Sequence, residues 1–122
     1  MSCETSGTAQ FASISGGWEN TASATDASVS GGIANTASGP ISWVSGGAGN
    51  EAHSHLSSVS GGDDNKATGE VASVAGGALN KAEGQYSSIL GGEQNTVEAA
   101  GELATIIGEA AIKFSTPKKV GG

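Results

Sequence analysis

The stretch GGDDNKATGEVASVA, residues 61–75, decides the fold, because the chain repeats it throughout its length. Glycine pairs stand at 16–17, 31–32, 46–47, 61–62, 76–77 and 91–92, each fifteen residues after the last. Aligned on these pairs, the preceding units are GGWENTASATDASVS, GGIANTASGPISWVS and GGAGNEAHSHLSSVS. GGALNKAEGQYSSIL follows, and then GGEQNTVEAAGELATII, which carries two extra residues around Glu98–Ala100. The segment 10–15 reads as the second half of an earlier unit, and the pattern fades from Gly108 onward. A short fixed period of this kind marks a solenoid, in which each unit is one coil stacked on the next. About seven coils are expected over residues 1–108, with 109–122 as a cap or exit segment.

The columns of this alignment carry the physical content. Numbering each unit from its first glycine, position 5 is Asn20, Asn35, Asn50, Asn65, Asn80 and Asn95, which are all the asparagines of the protein. Asparagine tolerates a left-handed backbone, so these six are read as turn residues whose stacked side chains bond between coils. The glycine pair supplies a second corner, where a Cβ is excluded. Before each pair, Ala12, Ala27, Ser42, Ser57, Ala72 and Ser87 alternate with Ile14, Val29, Val44, Val59, Val74 and Ile89. That alternation predicts a short strand whose inner ridge is Val29, Val44, Val59, Val74 and Ile89. A second strand, at Asn-x-Ala, is expected to point Ala22, Ala37, Ala52, Ala67, Ala82 and Val97 inward. The expected architecture is all-β, a parallel β-solenoid with two strands per coil. Coils separated by roughly 4.8 Å make a rod of roughly 34 Å.

Position 11 is also apolar, with Phe11, Ile41, Leu56, Val71, Tyr86 and Leu103, interrupted by Asp26. By strand parity this ridge points away from the valines. One ridge then fills the coil and the other meets a partner, which predicts an oligomer. Composition agrees. Glycine and serine account for 39 of 122 residues and aromatics for 4%, so one chain has little core material of its own.

Charge and targeting signals narrow the function. Five lysines, no arginine and twelve acidic residues give a net charge of −7, which excludes a phosphate-reading surface and nucleic acid as partner. Cys3 is the sole cysteine, so an internal disulfide is impossible. No apolar run reaches membrane-spanning length, and no export leader opens the chain. An exported protein of this sequence is therefore expected to be a mature segment or fragment.

The units of form A-S-V-S-G-G-x-x-N-x-A-x-G resemble the head repeats of trimeric autotransporter adhesins, and related repeats in phage tail fibres. The resemblance covers roughly residues 10–108. It implies a left-handed parallel β-roll, a homotrimer, and a non-catalytic head displayed on the bacterial surface that binds host-cell or matrix ligands or serves as a spacer. The alternative setting is a receptor-binding segment of a virion tail fibre. The chain departs from the best-known heads in its period, one residue longer, and in its Gly-Gly turn.

Other chemistry is sparse. His53 and His55 in Glu51-Ala52-His53-Ser54-His55 have the HxH spacing of a metal pair, but their columns elsewhere hold Ser, Thr, Pro, Glu or Gln, which reads as a solvent-facing surface. No metal and no cofactor are expected. Glu51, Lys66 and Lys81 share a column and read as a solvated charge ladder. Asp63-Asp64 occurs in only one turn, unlike the acid-rich repeats of calcium solenoids. There is no G-x-S-x-G elbow and no evident triad partner for the histidines, so no enzyme is expected. Trp43 stands in a serine column and is read as a ligand anchor or a packing residue, and Trp18 as packing near the end of the rod. The Ser-x-Ser rank also fits an ice-binding solenoid, although Trp43, Ala75 and Leu90 break it.

Overall fold

A computed structural model describes residues 3–5 and 10–114. It shows a parallel β-solenoid with a fifteen-residue coil. Two long ladders form it. The first runs from Cys3–Thr5 through Asn20–Ala22, Thr36–Ala37, Glu51–Ala52, Lys66–Ala67, Lys81–Ala82 and Thr96–Val97 to Lys113–Phe114. The second runs from Ser13–Ile14 through Ser28–Val29, Trp43–Val44, Ser58–Val59, Ser73–Val74 and Ser88–Ile89 to Thr105–Ile106. Register is strictly column on column, with Ala52 opposite Ala67 and Val59 opposite Val74.

A third ladder lies at position 3, where single-residue bridges join Trp18, Ile33, Ala48, Asp63, Ala78 and Glu93 in series. Sequence patterning misses it, because one bridging residue per coil leaves no alternation to read. The coil is thus three-sided. The inner side chains are as the alternation predicts: Ala22, Ala37, Ala52, Ala67, Ala82 and Val97 are fully buried, and so are Val29, Val59, Val74 and Ile89, with Val44 all but so. Ser42, Ser57 and Ser87 are buried among them. The Ser57 hydroxyl donates to the Ser54 carbonyl at 2.6 Å and accepts from the Ser54 amide at 3.0 Å, closing the turn locally.

The corners differ from the sequence-based expectation. The left-handed residue is not the asparagine but its predecessor: Glu19, Ala34, Gly49, Asp64, Leu79, Gln94 and Ala111 have φ between 56° and 67°. The asparagine side chain instead points into the coil and is buried at every repeat. Asn65 Nδ2 donates to the Gly61 and Gly77 carbonyls at 3.0 and 2.9 Å, and its Oδ1 accepts the Asn80 amide at 3.0 Å. The asparagines therefore bond between coils from side chain to backbone, not from side chain to side chain. The second glycine of each pair is the one that needs its freedom. Gly62 has φ 96°, and a Cβ there would overlap the Gly77 carbonyl oxygen, whereas Gly61 faces open space.

The two extra residues widen one turn without breaking the stack, since Ile89 still pairs with Ile106 and Val97 with Phe114. Pairing also continues beyond residue 108, where Glu109–Ala110 lies against Gly92–Glu93. Ile112 occupies the asparagine position of this last coil. Its amide donates to Asn95 Oδ1 at 2.9 Å, and its own side chain carries no amide to extend the series. Thr116, Pro117, Lys118 and Lys119, read from sequence as part of the exit segment, lie outside the described residues.

Candidate functional surfaces

The most organised surface feature is the corner at position 11. Phe11, Asp26, Ile41, Leu56, Val71, Tyr86 and Leu103 all adopt left-handed backbone, with φ between 54° and 61°. They are turn residues, not strand residues, so strand parity is the wrong reason for their outward direction. The outward direction itself holds: Phe11 is 82% exposed and Leu103 74%. A left-handed conformation costs a residue with a Cβ about 1–2 kcal/mol, and β-branched Ile41 and Val71 are especially ill-suited. Glycine or asparagine would occupy this corner cheaply.

The other left-handed column is an internal control. At position 4 the same backbone carries Glu, Ala, Gly, Asp, Leu and Gln in successive coils, with no apolar bias. The position 11 corner retains large apolar side chains against the local backbone preference.

A second surface is electrostatic. Glu51, Lys66 and Lys81 stack in register on successive coils. Lys66 Nζ lies 3.6 Å from Glu51, Lys81 Nζ 3.8 Å from Glu83, and Lys113 Nζ 3.0 Å from Glu98, all partly exposed. Beside this ladder a groove of about 400 Å³ is lined by Gly49, Asp64, Lys66, Leu79 and Lys81. It opens where Gly49 lacks a side chain, since a Cβ there would meet the Asp64 carboxylate. Its acids and bases are paired or solvated, and they define no ligand charge.

The histidines are brought to different partners. His53 Nδ1 lies 2.6 Å from Ser38 Oγ and its Nε2 lies 2.7 Å from Glu51 Oε1, whereas His55 Nδ1 lies 3.8 Å from Glu70. Among the described residues no group of three or more His, Cys, Asp or Glu side chains is placed to hold a metal ion. Ser38, His53 and Glu51 do stand in hydrogen-bond series, a triad-like connectivity that the sequence reading did not find. It was legible in principle, because Ser38 and His53 share a column in adjoining coils. The flanking amides are already used: Ser38, Gly39 and His53 N–H all donate to carbonyls of the next coil. No amide pair is free there to stabilise an oxyanion, so the series positions side chains on an open surface.

Trp43 projects from the second ladder and is 42% exposed, and Trp18 projects from the third and is 54% exposed. Asp63 and Asp64 are split between a ladder position and a left-handed corner. Among the described residues, no helix is long and apolar enough to cross a membrane. No protein-family model matches the chain, and no curated protein matches it.

Proposed function

We propose that the chain is a non-catalytic, homotrimeric β-roll head, a rod displayed on a bacterial surface that binds host-surface or matrix ligands. The observation that carries this reading is the apolar corner formed by Phe11, Ile41, Leu56, Val71, Tyr86 and Leu103. A row of large side chains held at the spacing of the coil is best matched by an object with the same spacing, namely another copy. Burial of that row between copies offsets the backbone strain and enlarges a core made otherwise of alanine, serine and valine. A rod of repeated coils suits display and adhesion. The resemblance of its units to trimeric autotransporter heads points the same way, and a virion tail fibre would use the same construction.

Adhesion is tested by coupling the purified chain to beads and measuring retention on cultured epithelial monolayers and on matrix-coated wells. Retention above that of beads bearing an unrelated β-solenoid is expected. Equal retention would leave only a spacer role and overturn the adhesive part of the proposal.

A further inference from the structure

We propose that Trp43 is a stacking platform for a neutral glycan, and that the sheet around it is the glycan-binding face. The first observation is the distribution of charge. Between residues 10 and 108, positions 12–15 and the glycine pair contain no Asp, Glu, Lys or His in any coil. These positions form the second ladder and its exit corner, so that sheet is uncharged while the first ladder carries the ion pairs.

The second observation is where the indole stands. Trp43 pairs directly with Ser28 on one side and Ser58 on the other. Its backbone neighbours Ser42 and Val44 fill the interior, so the indole adds nothing to the core of its own coil. Ser58 is only 8% exposed, unlike the other serines of this column, as expected for a hydroxyl overlaid by the adjacent ring. Ser30, Ser45 and Ser60 continue outward-facing hydroxyls across the same three coils.

An exposed aromatic face takes a cation, an apolar group or the C–H face of a sugar ring. A cation would want a neighbouring carboxylate, and the second ladder has none, Asp26 lying off the sheet at the position 11 corner. An apolar partner would want further apolar surface in the same sheet, whereas the other outward ladder residues of the three coils centred on the indole are hydroxyls. Exposed Leu90 and Ile107 lie three and four coils away, and Ile41 stands off the sheet at the position 11 corner. A neutral, polyhydroxylated chain satisfies both features. One ring stacks on the indole while neighbouring rings exchange hydrogen bonds with serines repeating at about 4.8 Å, close to the length of one pyranose unit. This deepens the adhesive reading by naming a ligand class, and it rests on that reading only for display of the rod.

The test uses the full chain carrying Trp18→Phe, which leaves Trp43 as its sole indole. Emission is titrated with cellohexaose, laminarihexaose, maltohexaose and a neutral galactan oligomer, and solution mass is measured on the same samples. Saturable quenching or a blue shift is expected with at least one of them. Trp43→Ala should weaken binding, read by calorimetry, about tenfold or more with mass and circular dichroism unchanged, and Trp43→Phe should retain most of it. A flat titration with all four sugars overturns the proposal, as does unchanged binding in Trp43→Ala. A lower mass in Trp43→Ala also overturns it, by assigning the indole to contact between copies. A chain that binds sugar but has the mass of a monomer would sink the trimer and spare the glycan site.

Discussion

The Asn35 amide donates to Asn20 Oδ1 at 2.9 Å across one full coil, and the same bond recurs from Asn50 to Asn35 and on to Asn95. Each asparagine from Asn20 to Asn80 thereby links its own glycine turn, the glycine turn of the next coil and the backbone of the next asparagine. The asparagines are buried and their bonds to the glycine carbonyls part-buried, so each bond is costly to leave unmade.

Replacing Asn65 tests this ladder. Asn65→Ala strands the Asn80 amide and removes two bonds to glycine carbonyls, and should cost about 2–4 kcal/mol in urea unfolding. Asn65→Asp should cost more at neutral pH, because a buried carboxylate cannot donate to those carbonyls. Burial raises the folded-state pKa of that carboxyl above its unfolded value, so the penalty should shrink as pH falls and the group takes a proton. Equal stability of the parent and Asn65→Ala would refute the ladder's role.

The two glycines of one pair should behave oppositely. Gly61→Ala meets open space and should stay within about 0.5 kcal/mol of the parent. Gly62→Ala combines φ 96° with overlap of the Gly77 carbonyl and should cost at least about 2 kcal/mol. Thermal midpoints of the two variants, compared at one protein concentration, decide the matter.

Much of this fold is legible in the sequence. The period, the parallel stack and the buried alanine and valine columns follow from strict spacing and alternation. The left-handed corner at position 4 was hidden because the backbone alone requires it, and Glu19, Ala34, Leu79 and Gln94 share no side-chain chemistry. The position 11 column, being apolar and partly β-branched, imitates a strand face. Asp26 is the one residue in that column whose type hints at a turn.

Strain and assembly should separate at position 11. In dilute solution, Ile41→Asn and Val71→Asn each relieve a left-handed apolar residue and should raise the stability of the isolated chain by about 1 kcal/mol. At higher concentration the same variants should associate less. Leu79→Asn, at the other left-handed column, should give the stabilisation and leave association unchanged. Loss of association by Leu79→Asn alone would reverse the assignment of the interface.

The ion pairs should matter little. Lys66→Ala and Lys81→Ala break half-exposed pairs of 3.6 and 3.8 Å, and each should change stability by less than about 1 kcal/mol. Urea midpoints at low and high salt check this, and a loss of several kcal/mol would mark the groove beside them as structural.

The central claim is that copies pack through the apolar corner. Light scattering during size-exclusion chromatography of the parent chain tests it most directly. A mass about three times 11.7 kDa is expected, and a homogeneous 11.7 kDa species would contradict the account.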